Sequence, residues 1–431
     1  MQKGLPWVLL AAAALVLALA LLSRLAVVTT VPPNTMAGRA LPARAPHAAV
    51  APAPRGPDLT QPVPPSVFDE LLRRILELGR TPGAAPDELL ISFATPAELE
   101  AFRARAARAG IELLPADPRL LTARVLVGDG RALASELVGG GFDRVGPNYL
   151  AWVPALPRLP ETDPDNAGGA RPFGTSGLEA VGAGRDRSDW GRGITVAVLD
   201  TGITDHPQLE QLRLSRTDLV QDGQPLNGHG TAMASLIAGA DPAEGGVAPA
   251  VRLLDIRVAD AKGESTTALV AQGILAAVDQ GARVINISLG TNADAPVLRR
   301  AVEYALGRGV VIIAAAGNDQ ASALAYPAAY SGVVSVAAVD ANGVQAFFSN
   351  SGSGLAVAAP GVGIVSAYRD NQRVISSGTS QAAAITSGVV ATMLGWGYSG
   401  QGILKALAAN AKPTGAPAEQ TGSGLVQVPS R

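Results

Sequence analysis

The sequence predicts an α/β chain built on a doubly wound, mostly parallel sheet, preceded by a small α+β unit. Three observations carry that prediction. Ile194 to Leu199 is a short apolar run without polar alternation, the pattern of a strand buried on both faces. Similar runs recur at Arg252 to Val258, Val284 to Ser288, Val310 to Ala316 and Val333 to Ala338. Helical patterns separate them, notably Thr266 to Gln280 before Gly281 and Ala295 to Leu306 before Gly307, each closed by the glycine that favours a helix end.

Composition bounds the rest. The chain has 431 residues, 48% hydrophobic and 16% charged, with no cysteine. That length exceeds one average domain and the apolar share fills a core, which excludes a disordered chain or a disulfide-stapled miniature. Thiol nucleophiles and thiolate metal sites are excluded as well. A net charge of −2 and three histidines give no general attraction to nucleic acid and little material for a histidine-rich metal centre. The chemistry must come from a local site.

Along the chain, Leu5 to Leu22 holds 18 residues without a charge after Lys3. At ~1.5 Å rise per residue this nearly spans a bilayer core of ~30 Å, and the run on to Val28 spans it fully. Residues 1–28 therefore read as a membrane anchor or a secretory signal, long for the latter; a buried soluble helix is a third reading. Residues 29–65 are rich in Pro and Ala, as in Ala51-Pro52-Ala53-Pro54, and read as an extended tether. Within residues 66–85, Phe68, Leu71, Leu72, Ile75 and Leu76 line one face of an amphipathic helix, with Ser66 and Asp69 at capping-box spacing. That face can dock on the following unit or on a membrane.

Residues 86–155 form the small unit. Glu88 to Ala94 reads as a strand, Pro96 to Ala109 as a helix, and Ile111 to Leu114 and Leu120 to Val127 as strands. Asp129 to Val138 reads as a helix and Tyr149 to Val153 as the last strand. The order βαββαβ is that of a ferredoxin-like unit, without a catalytic signature of its own. The larger unit, residues 156–431, is loop-rich as far as Trp190 and then alternates strand and helix.

In an open α/β sheet, sites form outside the carboxyl ends of the strands. Asp200, Ser288 and Asn318 end or follow three of the apolar runs. Asn227-Gly228-His229-Gly230-Thr231 opens the apolar helix Ala232 to Ala240, and Gly378-Thr379-Ser380 opens a helix, Gln381 to Leu394, that is apolar nearly all round. Alone, Ser380 reads equally as N-cap or nucleophile. A serine nucleophile needs an imidazole base, and the base needs a carboxylate to fix its tautomer. His47 lies in the tether and His206 precedes Pro207 as a turn residue, so His229, between glycines, is the accessible base. The set is Asp200, His229 and Ser380, with Asn318 as a side-chain oxyanion donor.

These stretches resemble the subtilisin family of serine peptidases, the subtilases: VAVLDTGI around Asp200, NGHGTAMASLIAG around His229, ISLG at Ser288 to Gly290, AAAGND around Asn318 and SSGTSQAAA around Ser380. GVAP, AYPA and APG, at Gly246, Ala325 and Ala359, are secondary matches. The resemblance covers roughly residues 173 to 428 and implies a subtilisin-like sheet and an endopeptidase without a cofactor for its chemistry. It further implies that the Ser380 N–H is the second oxyanion donor, and that Ser288, Leu289 and Gly290 pair with the substrate backbone as an added strand, opposite Gly263 to Thr266. It sets Ala325 near the base of the primary specificity pocket, where a small apolar residue suits large uncharged side chains. The small unit similarly resembles the family's propeptide, a folding chaperone and intramolecular inhibitor, with Pro147-Asn148-Tyr149 like its tail. The implied product is a self-processed zymogen cut near residues 154 to 172, acting on proteins or peptides outside the cytoplasm, either anchored in a membrane through its N-terminal segment or secreted.

Four departures stand out. Ala232 replaces a histidine usual after the His-Gly-Thr motif, and Gln381 and Ala384 replace a common methionine and proline beside the serine. The stretch Ala240 to Gly246 is short where many relatives carry a calcium loop, so the family's tight calcium site is expected to be missing, with a weaker ion open elsewhere. Two rival readings are a degenerate module that binds peptides without cutting them, and an aspartic peptidase built on Asp200-Thr201-Gly202, which requires a second such motif from a dimer partner.

Overall fold

The structure is a computed structural model describing residues 65–139, 141–154, 169–184, 186–241 and 245–430. The anchor-or-signal reading of residues 1–28, most of the tether and most of the expected cleavage stretch lie outside the described residues.

The small unit comprises α1 (Pro65–Leu78), β1 (Ala84–Ser92), α2 (Pro96–Ala109), β2 (Glu112–Leu114), β3 (Thr122–Leu126), α3 (Arg131–Leu137) and β4 (Val145–Trp152). Its strands pair antiparallel in the order β2-β3-β1-β4, the sheet of a βαββαβ unit. Leu89, Ile91, Phe102, Val125 and Leu133 form its core, and Leu71 and Ile75 of α1 are buried in that same core. The apolar face of α1 is thus committed to the small unit rather than to a membrane. α1 also differs from the sequence reading at both ends. It begins at Pro65, which suits a first helical position, so Ser66 lies inside the first turn. It ends at Leu78, and Ala84 and Ala85 belong to β1. β4 begins four residues before the anticipated Tyr149. Its Pro147 lies opposite Leu89 of β1, and the next strand pairs only with residues 150–152, so Pro147 occupies an edge where a missing N–H is tolerated.

The large unit continues with β5 (Thr195–Asp200), β6 (Arg213–Asp218), α4 (His229–Ala238), β7 (Arg252–Arg257), β8 (Glu264–Thr266), α5 (Thr267–Asp279), β9 (Val284–Ile287) and α6 (Pro296–Leu306). It ends with β10 (Val311–Ala315), β11 (Val334–Val339), β12 (Val357–Pro360), β13 (Ile364–Ala367), β14 (Arg373–Ser376), α7 (Thr379–Gly395) and α8 (Ile403–Asn410). Seven strands form one parallel sheet in the order β12-β11-β10-β9-β5-β7-β6. Alternate residues of each strand feed two cores. Val196 and Val198 face Met233 and Ile237 of α4 and Ile385 and Val389 of α7, while Ala197 and Leu199 face Ile274 of α5 and Leu298 of α6. Both faces are covered, which is why the central runs carry no alternation.

The chain winds outward in opposite directions from β5 and β9, which makes the gap between them the topological switch point. Asp200 ends β5 and Ser288 follows β9, so both stand at this switch point. The small unit docks on the α5–α6 side. Arg300 donates to the carbonyls of Leu120, Leu121 and Phe93 at 3.0, 2.9 and 3.0 Å, and Arg119 pairs with Asp279 at 2.7 Å.

Candidate active site

Asp200 closes β5 and is 1% exposed. Both of its carboxylate oxygens lie 2.9 Å from His229 Nδ1. Its Oδ1 also accepts from the Thr201 N–H at 2.7 Å and the Thr201 hydroxyl at 3.2 Å. An ionised carboxylate only accepts, so Nδ1 carries the ring proton and Nε2 is left as the basic nitrogen. Sequence reasoning gave Thr201 a place only in the rival aspartic-peptidase motif. The Thr201 hydroxyl also accepts from the Gly230 N–H at 3.2 Å and so ties the end of β5 to the start of α4.

His229 is the first residue of α4, three residues before the helix start read from the sequence. The glycines beside it explain how a helix begins there. Gly228 has φ 99°, in the left-handed region, and a Cβ on Gly230 would come 2.5 Å from the Gly202 carbonyl oxygen. Only glycine lets the backbones of β5's exit loop and α4 approach so closely.

Ser380 is the second residue of α7, and the helix cap is Gly378. The N-cap reading of Ser380 is therefore corrected: its Oγ donates to the Ser288 carbonyl at 3.1 Å rather than accepting from a helix N–H. In return, Ser288 Oγ donates to the Ser380 carbonyl at 3.2 Å. Asn318 Oδ1 accepts from the Thr379 N–H at 2.9 Å and the Thr379 hydroxyl at 2.8 Å. With its carbonyl end committed, the amide presents its Nδ2 donor at the mouth of α7, where a Cβ on Gly378 would lie 3.1 Å from it. Helix-start N–H groups and a carboxamide donor thus converge where an oxyanion would form. One contact is not made: His229 Nε2 is buried with no hydrogen-bond partner among the described residues.

Both segments expected to flank a substrate are paired with the chain's own residues. β4 runs antiparallel to β8, with Leu150, Ala151 and Trp152 opposite Thr266, Ser265 and Glu264, and the Val153 N–H donates to the Gly263 carbonyl at 2.9 Å. On the other side, Trp152 and Gly290 exchange two bonds of 3.0 and 3.1 Å. A cavity of about 240 Å³ beside this strand is lined by Trp152, Pro154, Leu289, Gly290, Asn318 and Ala325. Gly290 must be small here, because a Cβ would come 3.2 Å from that of Ala325. Trp152 and Pro154, read from sequence only as the end of the small unit, are thus part of the cleft.

The sequence profile of the subtilase family, peptidase S8, matches residues 191–423. The chain belongs to the subtilase family. It is 41% identical over 226 residues to a thermostable alkaline protease of Halalkalibacterium halodurans, covering 51% of this chain and 62% of that one. It is 39% identical over 227 residues to Subtilisin Savinase of Lederbergia lenta, covering 51% and 82%. Among solved structures, fervidolysin from Fervidobacterium pennivorans, a keratinolytic enzyme related to subtilisin, matches with TM-score 0.67 and 27% identity over 81% of this chain and 61% of that one. The match thus spans about three-fifths of the length of both the alkaline protease and fervidolysin.

Two features of this subtilase lie around the site rather than in it. Asp255 sits on β7 beside β5, opposite Val198, and was not singled out from sequence. Burial pushes its carboxyl up to about 7, against the lowering effect of its bond from the Ile203 N–H at 3.0 Å and of the Arg216 charge, while the Asp200 charge raises it further. At the shortened stretch 240–246, Arg187 donates to the carbonyls of Gly246 at 2.8 Å and Asp241 at 3.0 Å, so a guanidinium already engages oxygens of the kind calcium would bind. Residues 242–244 lie outside the described residues. Among the described residues no group of three or more His, Asp or Glu side chains could hold a metal. Of the departures, Ala232 and Ala384 are fully buried, and Gln381 donates to Ser376 Oγ at 2.7 Å.

Proposed function

We propose that the chain is a serine endopeptidase, made as a zymogen, that cuts proteins or peptides through an acyl-enzyme on Ser380. The observation that carries the reading is the buried Asp200–His229 pair, 2.9 Å at both oxygens, with Nε2 left as the ring nitrogen that has no partner among the described residues. In this reading Ser380 Oγ attacks the scissile carbonyl and its proton passes to Nε2. Asp200 stabilises the imidazolium. The Asn318 amide and the Ser380 N–H receive the oxyanion. The proton then goes to the leaving amine, and water releases the acyl group by the same route in reverse.

The small unit, residues 86–155, acts as the inhibitor of the same chain, with residues 150–153 lying as a strand between Gly290 and β8, the pairing a substrate would make. The likeness to fervidolysin supports this, since it covers 81% of the chain, more than residues 191–423 alone. The relatives' printed names, alkaline protease and subtilisin, support protein substrates, and the cavity at Ala325 suits an uncharged side chain. Action outside the cytoplasm follows from residues 1–28 read as signal or anchor. Calcium, if bound, occupies a weaker site than the family's tight one and serves stability rather than chemistry.

The test is N-terminal sequencing of purified full-length chain beside Ser380→Ala, with casein hydrolysis measured on both. The reading expects self-cleavage beyond residue 153 and casein hydrolysis in the first only. Equal fragments and equal hydrolysis in both would refute the role of Ser380, and no self-cleavage and no hydrolysis in either would leave the peptide-binding module as the better account.

A further inference from the structure

The segment that fills the cleft carries, two residues beyond Trp152, a residue unsuited to being cut there. Trp152 and Gly290 form a doubly bonded antiparallel pair, and such pairs repeat every second residue. Continuing the register sets Pro154 against Ser288. An ordinary residue at 154 would donate its N–H to the Ser288 carbonyl; proline has none. Ser288 O is instead taken by the Ser380 hydroxyl at 3.1 Å, while His229 Nε2 stays buried without a partner. The three observations are one arrangement. The carbonyl that should hold the substrate backbone holds the nucleophile, and holds it off its base.

We infer, on the peptidase reading above, that Pro154 is a positioning residue that makes residues 150–154 an inhibitor rather than a substrate, so that this chain does not cut the bond after Pro154. For that cut, Ser380 Oγ would have to bond to the carbonyl carbon of residue 154 and give its proton to His229 Nε2. The C–N bond would then break, and the leaving amine would take that proton. With Ser288 O unfilled by the strand, the Ser380 hydroxyl has a competing acceptor and the first proton transfer is disfavoured. Restoring an N–H at 154 gives Ser288 O a second donor that competes with the Ser380 hydroxyl and shifts the hydroxyl towards His229.

Full-length Pro154→Ala, Pro154→Gly and Pro154→Leu chains are compared with wild type by time-resolved N-terminal sequencing. All three are expected to cut after residue 154 at least tenfold faster than wild type, alike despite their differing size and flexibility, because the backbone donor is what they share. Val153→Pro separates this from mere loosening of the tail: it removes the bond to Gly263 without supplying a donor at 154, and no cut after Pro154 is expected. Wild-type cleavage after Pro154 at the variants' rate would overturn the inference, as would rates that follow side-chain size or a new cut after residue 154 in Val153→Pro. Casein hydrolysis by the same preparations reports on the peptidase reading separately. Its absence from all of them, wild type included, overturns that reading and the inference with it.

Discussion

The two walls of the cleft are in different states. On one, Asp200 and His229 are in contact, buried, and braced by Thr201. On the other, Asn318 is fixed by Thr379, yet the Ser380 hydroxyl is bonded to Ser288 rather than to His229. The first wall is built from strand-end and helix-start positions that the sheet fixes. The second carries a rotatable hydroxyl whose partner depends on what fills the cleft. In the proposed reading, assembling a triad and engaging it are separate events, and the occupant of the cleft controls the second.

The largest effect expected is on the chemistry itself. Ser380→Ala and His229→Ala should each lose on the order of 10⁴-fold or more in peptide turnover, read as kcat on a chromogenic peptide. A loss shared by both and no greater in the double variant would show that the two walls act as one unit. Removing the donor on the second wall comes next: Asn318→Ala should cost about 10²–10³-fold in kcat with KM little changed. A KM effect alone would make Asn318 a binding residue rather than an oxyanion donor.

Much of this was legible in the sequence, for reasons particular to each residue. Asp200 ends an apolar run and His229 stands between glycines, because rigid placement and close approach leave marks in composition. The sheet's centre was legible because strands buried on both faces lose alternation. β6 was missed because it is a half-exposed edge strand, Arg213 to Asp218, with Leu214 its one apolar residue. β12 was missed because Val357–Pro360 is four residues long and offers one β-branched residue before two alanines and a proline, where the equally short β9 carries Val284, Ile285 and Ile287. The occupancy of the cleft by residues 150–153 could not be read locally, since it pairs Trp152 with Gly290 across more than a hundred positions. Nor could the partner of Ser380 Oγ, which is a rotamer and not a motif. Asp255 was missed because its environment is made by the neighbouring strand.

Smaller effects sharpen the contrast from outside the walls. Arg300→Ala removes three bonds to the small unit's carbonyls, and charge-assisted bonds are worth about 1.5–3 kcal/mol in net stability. Peptidase activity of the unfractionated, self-cleaved preparation should rise about tenfold as the small unit leaves more readily. An unchanged activity would place the inhibitory grip in the β4 strand alone. Asp255→Asn tests the support of the first wall through pH. With the folded-state value raised to about 7, the folded chain binds this proton more tightly than the unfolded chain, whose carboxyl titrates near ~3.9. The stability linked to this proton is full below about pH 4 and is lost as pH rises through about 7. Asp255→Asn should therefore gain stability over wild type at pH 8 relative to pH 4, by roughly 1–4 kcal/mol, in urea unfolding of the Ser380→Ala background. A pH-independent difference would contradict it.

The most direct test of the central claim is covalent. Full-length chain that has processed itself is treated with a fluorophosphonate, and the modified peptide is mapped by mass spectrometry. Convergence of Asp200, His229 and Ser380 predicts a single adduct on Ser380, slowed by orders of magnitude in His229→Ala. An adduct on another residue, or labelling of Ser380 that is indifferent to His229, would contradict it.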